Sequence, residues 1–431
     1  MIELPLERPP IPSGRSILLL DCDAFFVQVA RLEDPEGLGQ VERLLVGGRS
    51  GRGVVTSASY AVRAFGVRSG MPVAEALRRC PDAVVVPVPR EACAARSRAI
   101  RAELETLSPV VQAASIDEFY LDLTGTERLF GGASLAETAA RIRDQVREAT
   151  GITVSVGGGT NRLVAKLAAG RAKPHRGGEE PPSPGVFIVP SGGEAAFMAE
   201  LDVRAIPGVG PAMAGELEAR GVVSVPELLA VEPAWLARWV GEGRAAWLRA
   251  RARGEDDAPV TPGEDRKSIS AERTWGDDVP PGPAGDAALE RKLLELAGSV
   301  GATLRSKGFR ARTVTVKLRD GDFSTRQRSR TLSEPVESDR AIYEVGRAML
   351  RELRARRRPT RLLGIGVAGL EDEDGVEQLD LLSLLGPEAP GAPVRPESER
   401  DRTLSRLADE VRARFGDDAL RPGRIMEDRD E

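Results

Sequence analysis

The sequence contains little of the chemistry on which disulfide frameworks, zinc sites and histidine-based catalysis depend. It has one histidine, His175, and three cysteines, Cys22, Cys80 and Cys93, with no Cys-x-x-Cys spacing. Because those sites need paired or clustered Cys and His side chains, the sequence argues against all three. This cysteine usage fits a reducing compartment, so we expect a cytoplasmic protein.

Long apolar runs are also missing. No stretch approaches the roughly 20 apolar residues that a membrane-spanning helix needs, and no signal peptide is visible. The chain nevertheless has 431 residues, of which 41% are hydrophobic. It is therefore long and apolar enough to form several domains, each with a core of its own.

Charge is distributed unevenly along the chain. The net charge is −5, but residues 266–370 contain 22 Lys and Arg against 13 Asp and Glu, a balance of +9. Residues 371–431 contain 9 Arg against 18 Asp and Glu, a balance of −9, which leaves −5 for residues 1–265. A basic domain followed by an acidic tail suggests a polyanionic partner, although two ordinary solvated surfaces would give the same counts.

The most informative stretches are two places where carboxylates end or interrupt an apolar run. Residues 17–20 have the length of a buried strand and are followed by Asp21, while a hairpin-like run at 116–123 contains Asp117 and Glu118. Such residues are often helix N-caps or solvated turns, but an unpaired charge inside an apolar strand is costly. If the two strands are neighbours, the three carboxylates meet at one sheet edge and select a hard cation such as Mg²⁺.

The residues around these carboxylates carry a family resemblance. The motifs are Asp-Cys-Asp-Ala-Phe-Phe at 21–26 and Ser-Ile-Asp-Glu-Phe-Tyr-Leu-Asp at 115–122. They closely resemble the active-site motifs of the Y-family DNA polymerases, which are translesion enzymes. The resemblance also covers 53–72, 154–174 and 206–221, and continues more weakly to about residue 370. It is interrupted at 175–184, where the sequence departs from the Asn-Gly that the family usually has after the Lys-Pro pair.

The resemblance implies an α+β multidomain fold. It would have a ferredoxin-like palm with inserted small fingers, a helical helix-hairpin-helix thumb and a C-terminal α/β little-finger domain. The implied boundaries are a flexible leader at 1–14, a palm at 15–24 and 89–189, fingers at 25–88, a thumb at 190–257, a linker at 258–265, a little finger at 266–370, and an acidic tail at 371–431 that holds a clamp-binding motif and a short helix.

The resemblance also assigns roles in the palm and fingers. Asp21, Asp117 and Glu118 would be catalytic and hold two Mg²⁺ ions, with the backbone carbonyl of Cys22 as a further ligand. The incoming nucleotide would contact residues of both domains, namely Phe25, Phe26, Ser57, Tyr60, Arg63 and Lys173. Phe26 would be the steric gate that excludes a ribose 2′-OH, whereas Phe25 has the core as an equal alternative. A loose lid over the base pair would be formed by Val54, Thr56 and Gly70.

Two further regions would bind DNA phosphates. The backbone N–H groups of Gly208, Val209 and Gly210 resemble the turn of a helix-hairpin-helix, which binds phosphate without reading sequence. In the basic domain, cations would lie along the DNA backbone at Arg266, Lys267, Arg326, Arg328 and Arg330. The glycines at 157–159 do not fit a phosphate-binding loop pattern, so we expect them to form a turn between a strand and a helix.

The acidic tail contains one more motif. Residues 378–382 resemble the short peptide with which bacterial polymerases bind a sliding clamp, and the contact residues would be Gln378, Leu379, Leu381 and Leu382. A Leu-rich stretch is as often a small helix docked on its own domain, so both interpretations stay open here. Periodic apolar residues predict a separate helix over 403–415, to which we assign no role.

The sequence thus predicts a monomeric, template-directed DNA polymerase of low fidelity that acts in DNA damage tolerance. Its partners would be primer–template DNA, deoxynucleoside triphosphates and a sliding clamp. Two alternatives are a non-catalytic Y-family-like scaffold for another polymerase and a palm-fold nucleotide cyclase. The presence of all three carboxylates argues against the first, and the helix-hairpin-helix and basic domain argue against the second.

Overall fold

The computed structural model describes residues 14–48, 51–126, 128–174, 185–263, 266–355, 358–372, 397–416, 419–420 and 423. The chain divides into two compact units, Met1–Glu264 and Asp265–Glu431. Three predicted features lie outside the described residues: the leader except for Gly14, the insertion at 175–184 and the clamp-binding stretch at 378–382. Among the described helices, none is long and apolar enough to cross a membrane.

The described residues form twelve strands: β1 (Ile17–Cys22), β2 (Leu44–Gly47), β3 (Val55–Ala58), β4 (Val84–Val86), β5 (Val111–Ala113), β6 (Glu118–Asp122), β7 (Val154–Gly159), β8 (Val186–Ile188), β9 (Ser268–Val279), β10 (Phe309–Asp320), β11 (Thr325–Val336) and β12 (Thr360–Asp372).

They also form fourteen α-helices: α1 (Phe25–Glu33), α2 (Tyr60–Arg63), α3 (Val73–Arg79), α4 (Arg90–Leu107), α5 (Leu135–Thr150), α6 (Arg162–Ala172), α7 (Glu194–Ala199), α8 (Pro211–Glu218), α9 (Val225–Ala230), α10 (Pro233–Val240), α11 (Glu242–Ala252), α12 (Pro283–Ser306), α13 (Asp339–Arg354) and α14 (Glu399–Phe415).

Strand β1 is the centre of a five-stranded sheet in the first unit, with the order β5-β6-β1-β7-β8. It runs antiparallel to β6 and β7, and β8 runs parallel to β7. Successive side chains of a strand point to opposite faces. Leu18 and Leu20 therefore share a core with α4 and α5, while Ile17 and Leu19 pack against α6. The order β1, α4, β5, β6, α5, β7 is ferredoxin-like.

Two smaller regions complete the first unit. A three-stranded sheet with the order β3-β2-β4 is inserted between β1 and α4, and its core includes Leu45, Val55 and Val62. Helices α7 to α11 follow the first sheet and enclose a separate core that includes Leu217 and Leu248.

The second unit is a four-stranded antiparallel sheet with the order β11-β10-β12-β9. Helices α12 and α13 cover one face and bury Val314, Val316 and Ile365. The C-terminal helix α14 is held on this layer by an ionic contact, because the Arg305 guanidinium of α12 donates to both carboxylate oxygens of Asp409 at 2.7 and 3.0 Å.

The prediction that the glycines at 157–159 form a turn was wrong, because these residues are the end of strand β7. Helix α6 lies directly on them. A Cβ atom at Gly157 would be 1.9 Å from the backbone nitrogen of Ala169 and 2.2 Å from the carbonyl oxygen of Ala165. The glycines therefore allow close approach of helix and strand, and they form the second half of the strand Val154–Gly159.

The stretch predicted as a linker, 258–265, begins as part of the first unit. Val260 is buried against Ile17 and Tyr120. The Thr261 N–H donates to the side-chain oxygen of Gln112 at 3.2 Å, and Arg162 donates to the carbonyl oxygen of Pro259 at 3.2 Å. These contacts fix the linker to the first sheet as far as Thr261.

We predict that Gly157→Ala destabilises the first unit by about 3 kcal/mol or more, because the added methyl group overlaps the backbone of α6. Gly170→Ala, a substitution within helix α6 itself, is the matched control. A Cβ atom there meets nothing within 4 Å, and alanine should be neutral or stabilising by up to about 1 kcal/mol. Urea denaturation of both variants measures the difference, and equal stability would contradict this packing.

Candidate active site

The strand register brings the predicted carboxylates together. Asp21 at the end of β1 is directly opposite Glu118 at the start of β6. Asp117 lies in the turn just before β6, and its carbonyl oxygen accepts a hydrogen bond from the Cys22 N–H at 2.9 Å. All three line one pocket of about 990 Å³, which also contacts Cys22, Phe25, Phe26, Thr56, Ser57, Tyr60, Arg63, Arg68 and Lys173.

Helix α6 and the residue that follows it supply two ammonium groups to these carboxylates. Lys166 lies in α6 and Lys173 is the residue just after its last turn, seven positions later, so both reach the same edge of the sheet. Lys166 donates to the two carboxylate oxygens of Glu118 at 3.0 and 2.7 Å, and the Lys173 ammonium lies 2.7 Å from an Asp21 oxygen. Lys166 was not among the predicted site residues. Its position two helical turns before Lys173 was the signal that could have revealed it.

Burial makes ionisation of the central carboxyl costly. It raises the pKa of Asp21 from its ordinary value to about 6, against the lowering effect of Lys173, while the charges of Glu118 and Asp117 raise it further. Burial and the neighbouring carboxylates also raise the pKa of the Cys22 thiol, so this cysteine stays protonated. The pocket therefore crowds negative charge in a place with little solvent to screen it.

The donor set fits a hard cation by its chemistry, because it consists of carboxylate oxygens. Among the described residues, no group of three or more acidic, His or Cys side chains is gathered tightly enough to hold a metal ion as it stands. Instead the two lysine ammonium groups supply the positive charge. Asp21, Asp117 and Glu118 could hold a cation once the side chains turn away from the lysines and towards one another.

Asp23 links the pocket wall to the inserted region. Its buried carboxylate accepts a hydrogen bond from Ser155 of β7 at 2.7 Å and from the Tyr60 hydroxyl of α2 at 3.4 Å. Burial raises the pKa of the Asp23 carboxyl, while the bond from Ser155 lowers it. No role was predicted for Asp23, although its position two residues after Asp21 could have indicated that it lies close to the pocket.

Tyr60 and Arg63 share one face of α2, as their spacing predicts. The Arg63 guanidinium lies 4.8 Å from the centre of the Tyr60 ring, and its Nε donates to the carbonyl oxygen of Ala58 at 2.9 Å. Both side chains line the pocket. Burial and the nearby Asp23 raise the pKa of the Tyr60 hydroxyl, so it is a hydrogen-bond donor at neutral pH.

The two phenylalanines after Asp23 have different environments. Phe25 is 1% exposed and belongs to the core of the first sheet, whereas Phe26 is half-buried at the pocket. Their rings meet edge to face at 5.4 Å. The preceding residue, Ala24, has a φ of 46°, a left-handed conformation that is unusual for a residue with a Cβ atom. This turn aims Phe26 at the pocket while Phe25 enters the core.

The predicted lid residues are only partly brought to the pocket. Thr56 and Ser57 of β3 line it, whereas Val54 and Gly70 are outside its lining. Val54 is half exposed and pairs with Pro72 in an isolated bridge. Gly70 has a φ of +83°, and its N–H donates to the Val55 carbonyl oxygen at 2.8 Å, which fixes the turn beside that strand.

The predicted phosphate-binding turn at Gly208, Val209 and Gly210 lies just before helix α8. Gly208 has a φ of +101°, and a Cβ atom there would be 2.7 Å from the Trp247 ring. The N–H of Val209 donates to the Ile206 carbonyl oxygen at 2.9 Å, so it is not free to bind a phosphate. Of the three predicted donors, the turn therefore leaves the N–H groups of Gly208 and Gly210.

The predicted cations of the second unit do not form one row. Arg266 and Lys267 are exposed just before β9. The β11 arginines at 326, 328 and 330 pair with Leu318, Val316 and Val314, so they lie on the face of the sheet that the helices cover. Arg326 is tied to Asp320 at 2.7 and 3.0 Å, and Arg328 and Arg330 reach Glu352 of α13 at 3.0 and 3.6 Å.

Family models match two long segments of the chain. The impB/mucB/samB family model matches residues 20–170, and the model of its C-terminal domain matches residues 266–381.

Curated relatives extend the match over most of the chain. A DNA polymerase IV of Halorhodospira halophila is 40% identical over 86% of this chain and 99% of its own length. A DNA polymerase IV of Caulobacter vibrioides is 35% identical over 96% of this chain and 95% of its own length.

Solved structures give the same relationship. A Y-family DNA polymerase chimera matches with a TM-score of 0.69 and 26% identity, over 82% of this chain and 99% of its own. An insertion ternary complex of the Dbh DNA polymerase matches with a TM-score of 0.57 and 26% identity, over 82% of this chain and 98% of its own. These likenesses confirm the predicted α+β multidomain fold class.

We predict that the Asp21 carboxyl titrates near pH 6 in the metal-free protein, measured by NMR with labelled aspartate. Because the Lys173 ammonium lowers this pKa, Lys173→Met should raise it further. Lys166→Met is the control, since that ammonium is bonded to Glu118 and should move the pKa of Asp21 less. An Asp21 pKa at or below 4 in the unmodified protein would show that the site is more hydrated than this geometry implies.

Proposed function

The chain belongs to the impB/mucB/samB family of Y-family DNA polymerases. We propose that the pocket lined by Asp21, Asp117 and Glu118 catalyses nucleotidyl transfer with two Mg²⁺ ions. The protein is a DNA-directed DNA polymerase of the translesion type. Its reaction adds a deoxynucleotide to a primer 3′-OH and releases pyrophosphate.

The observation that carries this proposal is the register of β1 and β6. It sets Asp21 opposite Glu118, with Asp117 one residue away, in a pocket where burial and mutual repulsion disfavour three bare negative charges. The chemistry that two Mg²⁺ ions supply when bound is Lewis-acid activation of the primer hydroxyl and stabilisation of the pyrophosphate leaving group. The three carboxylates, with the Cys22 carbonyl, would hold those ions.

The chain's own cations would bind the triphosphate. Lys173 lines the same pocket from just after α6, and Tyr60 and Arg63 line it from α2. An ammonium, a phenol and a guanidinium can all donate to phosphate oxygens. Lys173 is bonded to Asp21 in this structure, and this ammonium would be available to the phosphate oxygens with Asp21 holding a cation. Asp23 would keep the Tyr60 hydroxyl in position through its bond to the sheet at Ser155.

DNA would be held by both units. In the first unit, the free N–H groups of Gly208 and Gly210 suit one phosphate. In the second, Arg266 and Lys267 are exposed cations. Arg328 and Arg330 are exposed too, but they share Glu352 on the helix-covered side of the sheet, and Arg326 is largely committed to Asp320, so we assign Arg326 a structural role. The sheet face opposite the helices offers hydroxyl pairs such as Thr315 with Ser329 at 2.8 Å, which also suit a sugar-phosphate backbone.

We assign the palm, fingers and thumb to the residue ranges given in the sequence analysis. The palm would contribute the carboxylates, the fingers Tyr60 and Arg63, and the thumb the turn at Gly208.

We also propose that the enzyme is cytoplasmic and monomeric and that residues 378–382 contact a sliding clamp, a proposal that rests on the motif alone. A tethered peptide raises its local concentration at the clamp, so a weak contact suffices for retention. The alternative of a non-catalytic scaffold gains no support from any observation here.

The first test removes one carboxylate. We expect Glu118→Gln to lower the single-turnover rate of nucleotide insertion by roughly a thousandfold or more, because the transition state loses metal-borne charge compensation. Asp122→Asn, at the other end of the same strand, is the control and should insert nucleotides at the normal rate. Near-normal turnover by Glu118→Gln, with DNA binding intact, would remove this site from consideration.

The second test concerns sugar selection. Phe26 is the half-buried ring at the pocket, so Phe26→Ala should open space for a 2′-OH and increase ribonucleotide insertion relative to deoxynucleotide insertion. Phe65→Ala, which removes an exposed ring of the inserted region, should leave that ratio unchanged. If Phe26→Ala also leaves the ratio unchanged, another residue is the steric gate.

A further inference from the structure

The hairpin between β10 and β11 presents an exposed aromatic ring. Phe323 is 62% exposed at the tip, in the four-residue connection between Asp320 and Thr325. Its ring is covered on one side by the guanidinium of Arg361, 4.5 Å from the ring centre. Nothing in the proposed catalytic or phosphate-binding sites uses either residue.

The backbone at this position favours glycine. Phe323 has a φ of 64° and is one of two described non-glycine residues with a positive φ, the other being Ala24 beside the candidate active site. Side chains with a Cβ atom are strained in this region, and such strain is retained where the side chain itself is needed. A glycine would make the same turn with less strain, so the turn alone does not account for the phenylalanine.

The tip is held rigidly from within. The Phe323 N–H donates to the Asp320 carbonyl oxygen at 3.0 Å, and the Asp320 N–H donates to the Ser324 carbonyl oxygen at 2.9 Å. The Asp320 side chain is buried and accepts two bonds from Arg326. The ring is therefore presented on a fixed support, which limits the entropy lost when it binds a ligand.

The hairpin tip carries both signs of charge, with Asp278 facing Gly321, and its guanidinium groups differ in their partners. Arg358 is paired with Asp322 at 3.1 Å, and Arg326 is paired with Asp320. Within the described part of the chain, the Arg361 guanidinium contacts the Phe323 ring and no carboxylate. One face of the ring and one unneutralised guanidinium are thus available together.

From this pair we propose that Phe323 and Arg361 form a stacking site for an unpaired nucleotide base of the template strand. An aromatic ring binds bases without regard to sequence, and a guanidinium beside it can bind the phosphate of the same nucleotide. In a duplex the base faces are covered by their neighbours, so a flat exposed ring selects single-stranded DNA. The inference rests on the proposed DNA binding by the second unit and adds a preference for the single-stranded template extension.

The test compares two DNA probes with the full-length protein. One is a duplex with a single-stranded 5′ extension of the template, and the other is the same duplex with blunt ends. Fluorescence anisotropy should show that Phe323→Gly weakens binding of the extended probe by roughly fivefold or more, as expected for one lost stacked base. Binding of the blunt duplex should stay the same, which also shows that duplex binding by the protein is intact.

Three further variants sharpen the result. Phe323→Tyr keeps a ring and should retain binding of the extension, and Arg361→Met should weaken it. Phe415→Ala is the matched control, because Phe415 is a 67% exposed ring beside an arginine in α14 but has regular helical backbone. It should bind both probes normally. A 2-aminopurine base in the extension should be quenched by the unmodified protein and less so by Phe323→Gly.

Thermal unfolding separates a binding role from a structural one. Phe323→Gly should melt at about the same temperature, because relief of the positive φ offsets the greater entropy that glycine gives the unfolded chain. A clear loss of stability would show that the ring is there for the fold and would overturn the inference. Unchanged binding of the extension, or an equal loss with the blunt duplex, would also overturn it. If the unmodified protein binds neither probe, the proposed DNA binding itself fails.

Discussion

The structure of the first unit depends on the crowding of three carboxylates at one edge of a sheet. Asp21 and Glu118 are cross-strand neighbours, and Asp117 precedes Glu118 in the turn. Burial raises the pKa of Asp21 to about 6, and repulsion by the charges of Glu118 and Asp117 raises it further. Such an arrangement needs positive charge, which lysines provide here and which cations would provide during nucleotidyl transfer.

The packing of helix α6 delivers that positive charge. Gly157 lets the helix approach β7 so closely that no side chain fits between them, and Ala165 and Ala169 continue the close contact. Two helical turns then set Lys166 over Glu118 and Lys173 beside Asp21. A glycine in a strand and the spacing of two lysines thus have one common consequence, which is that two of the three carboxylates are paired with ammonium groups.

Much of this could be predicted from the sequence. Polar residues that end apolar strands show where strands end, so Asp21 and Glu118 were expected to meet if their strands are neighbours, and the register of β1 and β6 shows that they are. The family and the α+β fold class are confirmed by the comparisons. The glycines at 157–159 were misread because a glycine run fits both a turn and close packing, and only the position of α6 distinguishes them. The side of the sheet on which Arg326 lies depends on cross-strand register, which a single strand does not reveal.

Together with the substrate, these carboxylates would hold two divalent cations. Mn²⁺ substitutes for Mg²⁺ at oxygen sites and can be counted by electron paramagnetic resonance. With a chain-terminated primer–template and a matching deoxynucleoside triphosphate, we expect two bound Mn²⁺ ions per protein, and the loss of at least one in Asp21→Asn. The same number of bound ions in both proteins would show that Asp21 does not hold a divalent cation.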